Sequence, residues 1–180
     1  MISIRINRDP PSRLELLEQS LRSLSVRVPD VPTVAILLSR VIVELGRQLS
    51  SLLEHQIRPY GLGEADFRVL SALFAEHEGG AYPSELCERT GQSPANMSRI
   101  GDVLVNRNLI TRVLSARDRR RMVLRITDEG EALVRRVLPM LFDPLKGMFE
   151  DIGESDQIAL IQQLKRVGAR LGARPAKPIP

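Results

Sequence analysis

The sequence predicts a mainly α-helical protein in which a helix-turn-helix runs into a two-strand β wing, with longer helices before and after that core. Three observations carry this expectation. Apolar residues recur every three or four positions along most of the 180 residues, the period of a helix buried on one face. One stretch, Arg121 to Ile126, alternates with a period of two instead, as a half-buried strand does. Six arginines (Arg112, Arg117, Arg119, Arg120, Arg121 and Arg125) crowd into fourteen residues around that strand.

The elements follow in order. Residues 1–10 read as a flexible arm closed by Pro10-Pro11. Ser12 and Glu15 have the spacing of a capping box, opening a helix with Leu14, Leu17, Leu21 and Leu24 on one stripe. The run Pro29 to Pro32 breaks it. A long helix is expected over 33–58, with Leu38, Val41, Ile42, Leu45, Leu49 and Leu52 at helical spacing. It is apolar over much of its surface, as a helix buried between two subunits would be. Residues 11–60 therefore read as a dimerisation segment.

After the turn Gly61-Leu62-Gly63, a helix over Glu64–Glu76 places Phe67, Leu70, Leu73 and Phe74 inward, and His77 to Ala81 reads as a loop. Pro83 suits the first position of a short helix that Gly91 ends as C-cap. Ser93 caps the next helix, with Pro94 in its first turn. Two helices joined by a three-residue turn form a helix-turn-helix. In the second of them Met97, Ile100, Gly101 and Leu104 share one side, while Ala95, Arg99, Asp102 and Asn106 share the other. Leu109-Ile110 lead into a strand. The returning strand alternates Met122, Leu124 and Ile126 with Arg121, Val123 and Arg125, which predicts one apolar and one polar face. This lobe is expected over 61–130.

Thr127 caps a further helix carrying Leu133, Val137, Leu138, Leu141, Leu145 and Met148, which Pro139 and Pro144 should interrupt. Gly153 ends that element and Ser155 is expected to cap the last helix, with Ile158, Ile161, Leu164, Val167 and Leu171 on one stripe. Residues 131–172 thus read as a second dimerisation segment, and 173–180 as a disordered proline-rich tail.

Charge locates the chemistry. Between Arg99 and Arg136 stand ten Lys and Arg against five Asp and Glu, whereas the whole chain carries only +4. Positive charge confined to one small module points to a polyanion. Trp is absent and aromatic residues are 3%, so base-stacking platforms for single strands are poorly supported and duplex DNA is expected. One cysteine excludes an internal disulfide and favours the reducing cytoplasm. Two histidines, His55 and His77, far apart in sequence, supply no metal motif. With no nucleophile-base set, paired acids or phosphate loop, neither enzyme nor cofactor is expected. No segment has the length of a membrane span or a signal peptide.

Ser93 and the amides at its helix start suit a phosphate. Asn96, Ser98 and Arg99 are placed to read or clamp DNA, and Arg107 adds a cation at the far end of the same helix. In the wing, Arg117, Arg119, Arg120 and Arg121 can reach a minor groove, with Asp118 holding Arg120 in a defined rotamer by a charge-assisted pair. Asp102, one turn from Arg99, either faces DNA or pairs with that arginine. Cys87, beside Leu86, is expected to face the core as an inert small hydrophobe rather than to sense oxidants. The same charge would serve a non-specific architectural DNA protein. A winged helix used for protein contacts would not need the arginine tip.

These motifs resemble the MarR family of bacterial regulators, winged helix-turn-helix homodimers. The resemblance spans roughly 33–172 and is strongest at SELCERTGQSPANMSRIGDVLVNRNLITR and ARDRRRMVLRITDEG. Asp118-Arg119-Arg120 resembles the family's D-x-R wing, and Ile126 to Gly130 its L-T-x-x-G helix start. Two positions depart from the pattern. Asn108 replaces a usual glycine but tolerates the left-handed conformation, and Ser115 stands where an acid commonly opens the wing. The resemblance implies a homodimer on a pseudo-palindromic operator, with Arg120 as the wing arginine. It also implies release by a small aromatic or phenolic effector bound between the dimer helices and the DNA-binding lobe. The extra N-terminal helix looks like the branch of EmrR, PecS and HucR. Asp66 matches an acidic ligand position of the urate-responsive members, or serves as a helix-dipole partner. Those members also use a tryptophan that this chain lacks, so an efflux or aromatic-compound response is expected instead.

Overall fold

The computed structural model of the protein describes residues 13–76, 80–115, 118 and 120–172, with side chains from Glu15 onward. The expected arm, Ser12, His77, Arg117, Arg119 and the tail lie outside the described residues. The chain divides into two compact units, residues 1–55 and 56–180.

The first unit holds α1 (Arg13–Arg27) and most of α2 (Thr33–Ile57). Between them Asp30 takes a left-handed φ of 60°, the turn that Pro29 and Pro32 bracket. Leu21 of the α1 stripe is buried, while Leu24 is exposed. Along α2 only Ile57 is buried; Leu38 and Leu45 of the predicted stripe stand exposed, and Val41, Ile42, Leu49 and Leu52 are half-buried. The single chain therefore leaves much apolar surface of this helix uncovered.

The second unit is built around α3 (Glu64–Phe74), α4 (Pro83–Thr90), α5 (Pro94–Asn106), the strands β1 (Ile110–Leu114) and β2 (Met122–Ile126), and α6 (Asp128–Val137). The core comprises Phe67, Val69, Leu70 and Leu73 of α3, Leu86 of α4, Met97, Ile100 and Leu104 of α5, and Leu133, Val134 and Val137 of α6. The buried side of α5 is the one its sequence pattern predicts. α3 ends two residues before the expected Glu76, at Phe74. Two surface ties hold α4 beside it: Arg89 pairs with Glu76, and Arg68 donates to the Thr90 carbonyl at 3.3 Å.

The strands pair antiparallel, Ile110 opposite Ile126 and Leu114 opposite Met122. The predicted two-faced alternation of β2 does not hold. Val123 and Leu124 are both buried, while Met122 is exposed. A third partner explains this: Ala81 exchanges two 3.0 Å backbone hydrogen bonds with Leu124, so the wing root is covered from the α4 side as well.

The turn from α5 into β1 uses Asn108 at φ 57°, as expected for a residue in the glycine place. Thr127 then locks the wing root to α6. Its hydroxyl donates to the Asn108 carbonyl at 2.7 Å and accepts from the Gly130 amide at 3.1 Å, and its own amide donates to the Leu109 carbonyl. Beyond α6 the helix is interrupted at Pro139, whereas Pro144 lies inside the next helix rather than breaking it. A 3₁₀ turn spans Leu138–Leu141, and the short α7 runs Phe142–Gly147. The final helix α8 covers Glu154–Gly172. The Gly153 carbonyl accepts from the amides of Asp156 and Gln157, so Ser155 lies inside the first turn rather than capping it. α8 buries none of its residues, and Ile158, Ile161, Leu164, Val167 and Leu171 of its stripe are all exposed. No helix among the described residues is long and apolar enough to cross a membrane.

Candidate nucleic-acid interface

The Ser93 hydroxyl accepts from the Asn96 amide at 3.2 Å and caps α5, directly after Gly91 ends α4 in a left-handed conformation. That short turn leaves the first two turns of α5 projecting, with Ser93, Ser98 and Arg99 exposed and Asn96 half-exposed. The side chains here form one chain of bonds. The Gln92 side-chain carbonyl accepts from Asn96 at 2.6 Å, the Asn96 oxygen accepts from Arg99 Nε at 2.9 Å, and Arg99 Nη2 meets Asp66 Oδ1 at 3.2 Å.

Asp66 is thereby assigned a structural position. It is 6% exposed, and its second oxygen accepts from the Gly63 amide at 3.0 Å, capping α3. Asp66 thus does act at a helix N-terminus, and it braces Arg99 as well. Asp102, which the sequence leaves either facing DNA or paired with Arg99, reaches across to Arg112 of β1 at 2.6 Å. Arg99 is taken by Asp66, and the strand brings Arg112 within reach of the carboxylate left over. Arg107 sits at the other end of α5 and donates to the Gly61 carbonyl at 2.6 Å, far along the helix from Ser93.

In the wing, Asp118 braces Arg120 through the backbone rather than through its guanidinium. Its Oδ1 accepts from the Arg120 amide at 3.0 Å, and its carbonyl accepts from the Arg121 amide. A short side chain that folds back on the next amides but one makes a tight turn, which suits a hairpin tip. Arg120 is exposed there. Arg121 instead lies over the Tyr82 ring, 3.7 Å from its centroid. Arg117 and Arg119 lie outside the described residues. Sequence reasoning does not single out Tyr82 or Gln92, and it names Arg112 and Ser115 without giving either a structural partner. Gln92 precedes a cap and carries a weak local signal; the side-chain partners of Tyr82 are more than thirty residues away and carry none.

Cys87 is half-buried rather than in the core, which Leu86 occupies. It lines a cavity of about 630 Å³ between α4, α5 and the wing, whose walls include Met97, Met122 and Leu124, with Arg112 at one side. No cluster of metal-ligating side chains occurs among the described residues.

Two short helices joined by a capped turn, a projecting second helix and a two-strand ribbon define a winged helix-turn-helix protein. Comparison with known proteins agrees. The pattern describing the MarR family matches residues 60–121. The transcriptional repressor MprA of Escherichia coli is 30% identical over 155 residues, 86% of this chain and 88% of that protein. The HTH-type transcriptional repressor YetL of Bacillus subtilis is 23% identical, covering 72% and 78%. Among solved structures, AbsC, a MarR family transcriptional regulator from Streptomyces coelicolor, superposes with a TM-score of 0.70 at 28% identity, covering 82% of this chain and 98% of that one. The Staphylococcus aureus MepR–DNA complex shares the fold, with a TM-score of 0.68 at 15% identity over 74% and 95%. The chain belongs to the MarR family of transcriptional regulators, which are not enzymes.

Proposed function

We propose that this chain is a cytoplasmic homodimeric repressor that holds a pseudo-palindromic duplex and releases it on binding a small aromatic or phenolic effector. The observation that carries the DNA reading is the projecting face of α5: Ser93, Asn96, Ser98 and Arg99 stand outward with Arg99 held from two sides. A helix of this kind fits a major groove with its first turns against base edges. The exposed Arg120 supplies the wing contact in the adjacent minor groove. Arg107, Arg117 and Arg119 extend the basic surface, and Asp118 shapes the wing.

Uncovered apolar surface supports the dimer. α8 buries none of its residues, and α2 leaves Leu38, Val43 and Leu45 exposed. Exposed faces of this extent mark association surfaces. The effector reading is supported by the cavity behind α5, where Met97, Met122 and Leu124 offer apolar walls and Arg112 a cation for an acidic aromatic. An effector that prefers a dimer with mismatched helix spacing shifts the population away from the DNA-bound form.

The experiment is a titration of the duplex upstream of the protein's own gene across a salt series, with footprinting. A palindromic footprint and a steep fall of affinity with salt are expected, because phosphate contacts release counterions. Salt-insensitive or absent binding defeats the DNA reading. Binding without a preferred site selects an architectural role. Benzoate and phenol serve as effector probes; DNA retention at saturating amounts of both removes simple aromatic acids and phenols as the signal.

A further inference from the structure

We propose that Tyr82 is the positioning residue that sets the pose of the wing against the helix-turn-helix. The inference rests on the DNA-binding reading and names a residue within it. Tyr82 is the residue before α4, and three of its groups are committed. Its amide donates to the Glu85 carboxylate at 3.0 Å, anchoring it to the helix start. Its hydroxyl lies 2.7 Å from Ser115 Oγ. Its ring lies under the Arg121 guanidinium at 3.7 Å, a cation–π contact.

Ser115 and Arg121 are the two ends of the wing tip. Ser115 donates its amide to the Arg121 carbonyl at 2.9 Å, and its buried hydroxyl also accepts from the Asp118 amide at 3.2 Å. One aromatic side chain therefore grips the tip where it leaves β1 and where it enters β2. The neighbouring residue Ala81 is bridged to Leu124. Together, residues 81 and 82 join the root and the tip of the ribbon to the α4 start. A two-strand ribbon on its own is marginal in water, so its direction must come from such attachments. Arg121 serves as part of the clamp, and of the two described arginines at the tip Arg120, whose amide is fixed to Asp118, is the one left to probe DNA.

The test compares Tyr82→Leu and Tyr82→Phe with wild type on the upstream duplex, by salt titration and hydroxyl-radical footprinting, with circular dichroism to verify folding. Tyr82→Leu is expected to lose affinity about tenfold and to flatten the salt slope by about one phosphate contact. Its outer, wing-derived protections should disappear while the central ones persist. Tyr82→Phe keeps the ring and loses only the Ser115 bond, so it should fall between the two. Wild-type affinity and slope in Tyr82→Leu, or equal loss of central and outer protections, overturns the proposal. Should Tyr82→Leu not fold, an unaltered footprint in Tyr82→Phe overturns it.

A readout without DNA separates this proposal from the DNA reading. The chain has two tyrosines and no tryptophan, so in Tyr60→Phe the fluorescence belongs to Tyr82 alone. Arg121→Ala in that background should change this fluorescence in the free protein, and an unchanged spectrum overturns the clamp whatever the duplex result.

Discussion

Arg99 on the projecting face of α5 and Asp66 at the buried start of α3 are joined by a 3.2 Å ion pair, and the same carboxylate caps α3 through the Gly63 amide. One acid thus orients the cation proposed to face DNA and closes a helix end. Both of its oxygens accept, and an asparagine has only one acceptor oxygen. Asp66→Asn must therefore turn an amide toward one of the two donors. We expect a stability loss of about 1–2 kcal/mol, mostly from the cap. The arginine arm adds little to stability because Arg99 is 55% exposed in its side chain. DNA affinity should fall as well, since the amide oxygen that replaces the carboxylate beside Arg99 carries no charge to hold the guanidinium. Urea unfolding and duplex titration check both effects. If Asp66→Asn unfolds at the wild-type urea midpoint, the cap assignment is wrong.

The glycines of the lobe are not equivalent. A Cβ on Gly130 would stand 2.2 Å from the Leu109 carbonyl oxygen and 2.8 Å from Ile126 Cγ1. Both neighbours belong to the wing root and cannot swing away. Gly130→Ala should cost about 2–4 kcal/mol despite the better helix propensity of alanine, which is worth only about 1 kcal/mol. At Gly91 a Cβ meets nothing within 4 Å, but φ is +67°, so Gly91→Ala should cost about 1 kcal/mol by conformation alone. Chemical denaturation of the two variants should rank them in that order; the reverse order would refute the close approach at Gly130.

Much of this lobe was legible because its signals are local. Ser93, Pro94, Gly91, Asn108 and Thr127 each announce a cap or turn within four residues, and each stands where that chemistry placed it. The apolar side of α5 was equally readable from its period. Partnerships across the fold were not. The only partner the sequence offers Asp102 is Arg99, one helical turn away, whereas β1 brings Arg112 to it from ten residues away. The burial of Val123 likewise depends on coverage of the wing root around Ala81, which no periodicity within β2 reveals. Cys87 was placed in the core by its neighbour Leu86, and the cavity behind α5 leaves it half-buried.

Arg120 is exposed on a turn whose backbone is fixed by Asp118, and its side chain bonds to none of the described residues. Arg120→Ala should leave the thermal midpoint unchanged and weaken duplex binding by about 1–3 kcal/mol with a shallower salt slope. Asp118→Ala should weaken binding too, but by loosening the turn that presents Arg120. Adding Asp118→Ala to Arg120→Ala should therefore cost little more. Full additivity of the two on affinity would show that Asp118 acts independently of Arg120.

On α8, Ile161 and Leu164 of the apolar stripe stand 49% and 40% exposed in the single chain. Covering such side chains stabilises association at about 25 cal/mol per Å² of apolar surface removed from water. A pair of carboxylates placed there must instead be desolvated against their own copies across a symmetric interface. Ile161→Glu with Leu164→Glu should thus convert the proposed dimer into monomers at micromolar concentration while α8 remains helical, since both positions tolerate glutamate by propensity. In the proposed dimer two half-sites are read by two copies of α5, so the monomer should also lose its palindromic footprint, keeping only weak, strongly salt-dependent binding. Sedimentation velocity and footprinting on the same samples decide the matter. A variant that stays dimeric places the interface elsewhere, and one that becomes monomeric yet keeps the full footprint uncouples dimerisation from operator recognition.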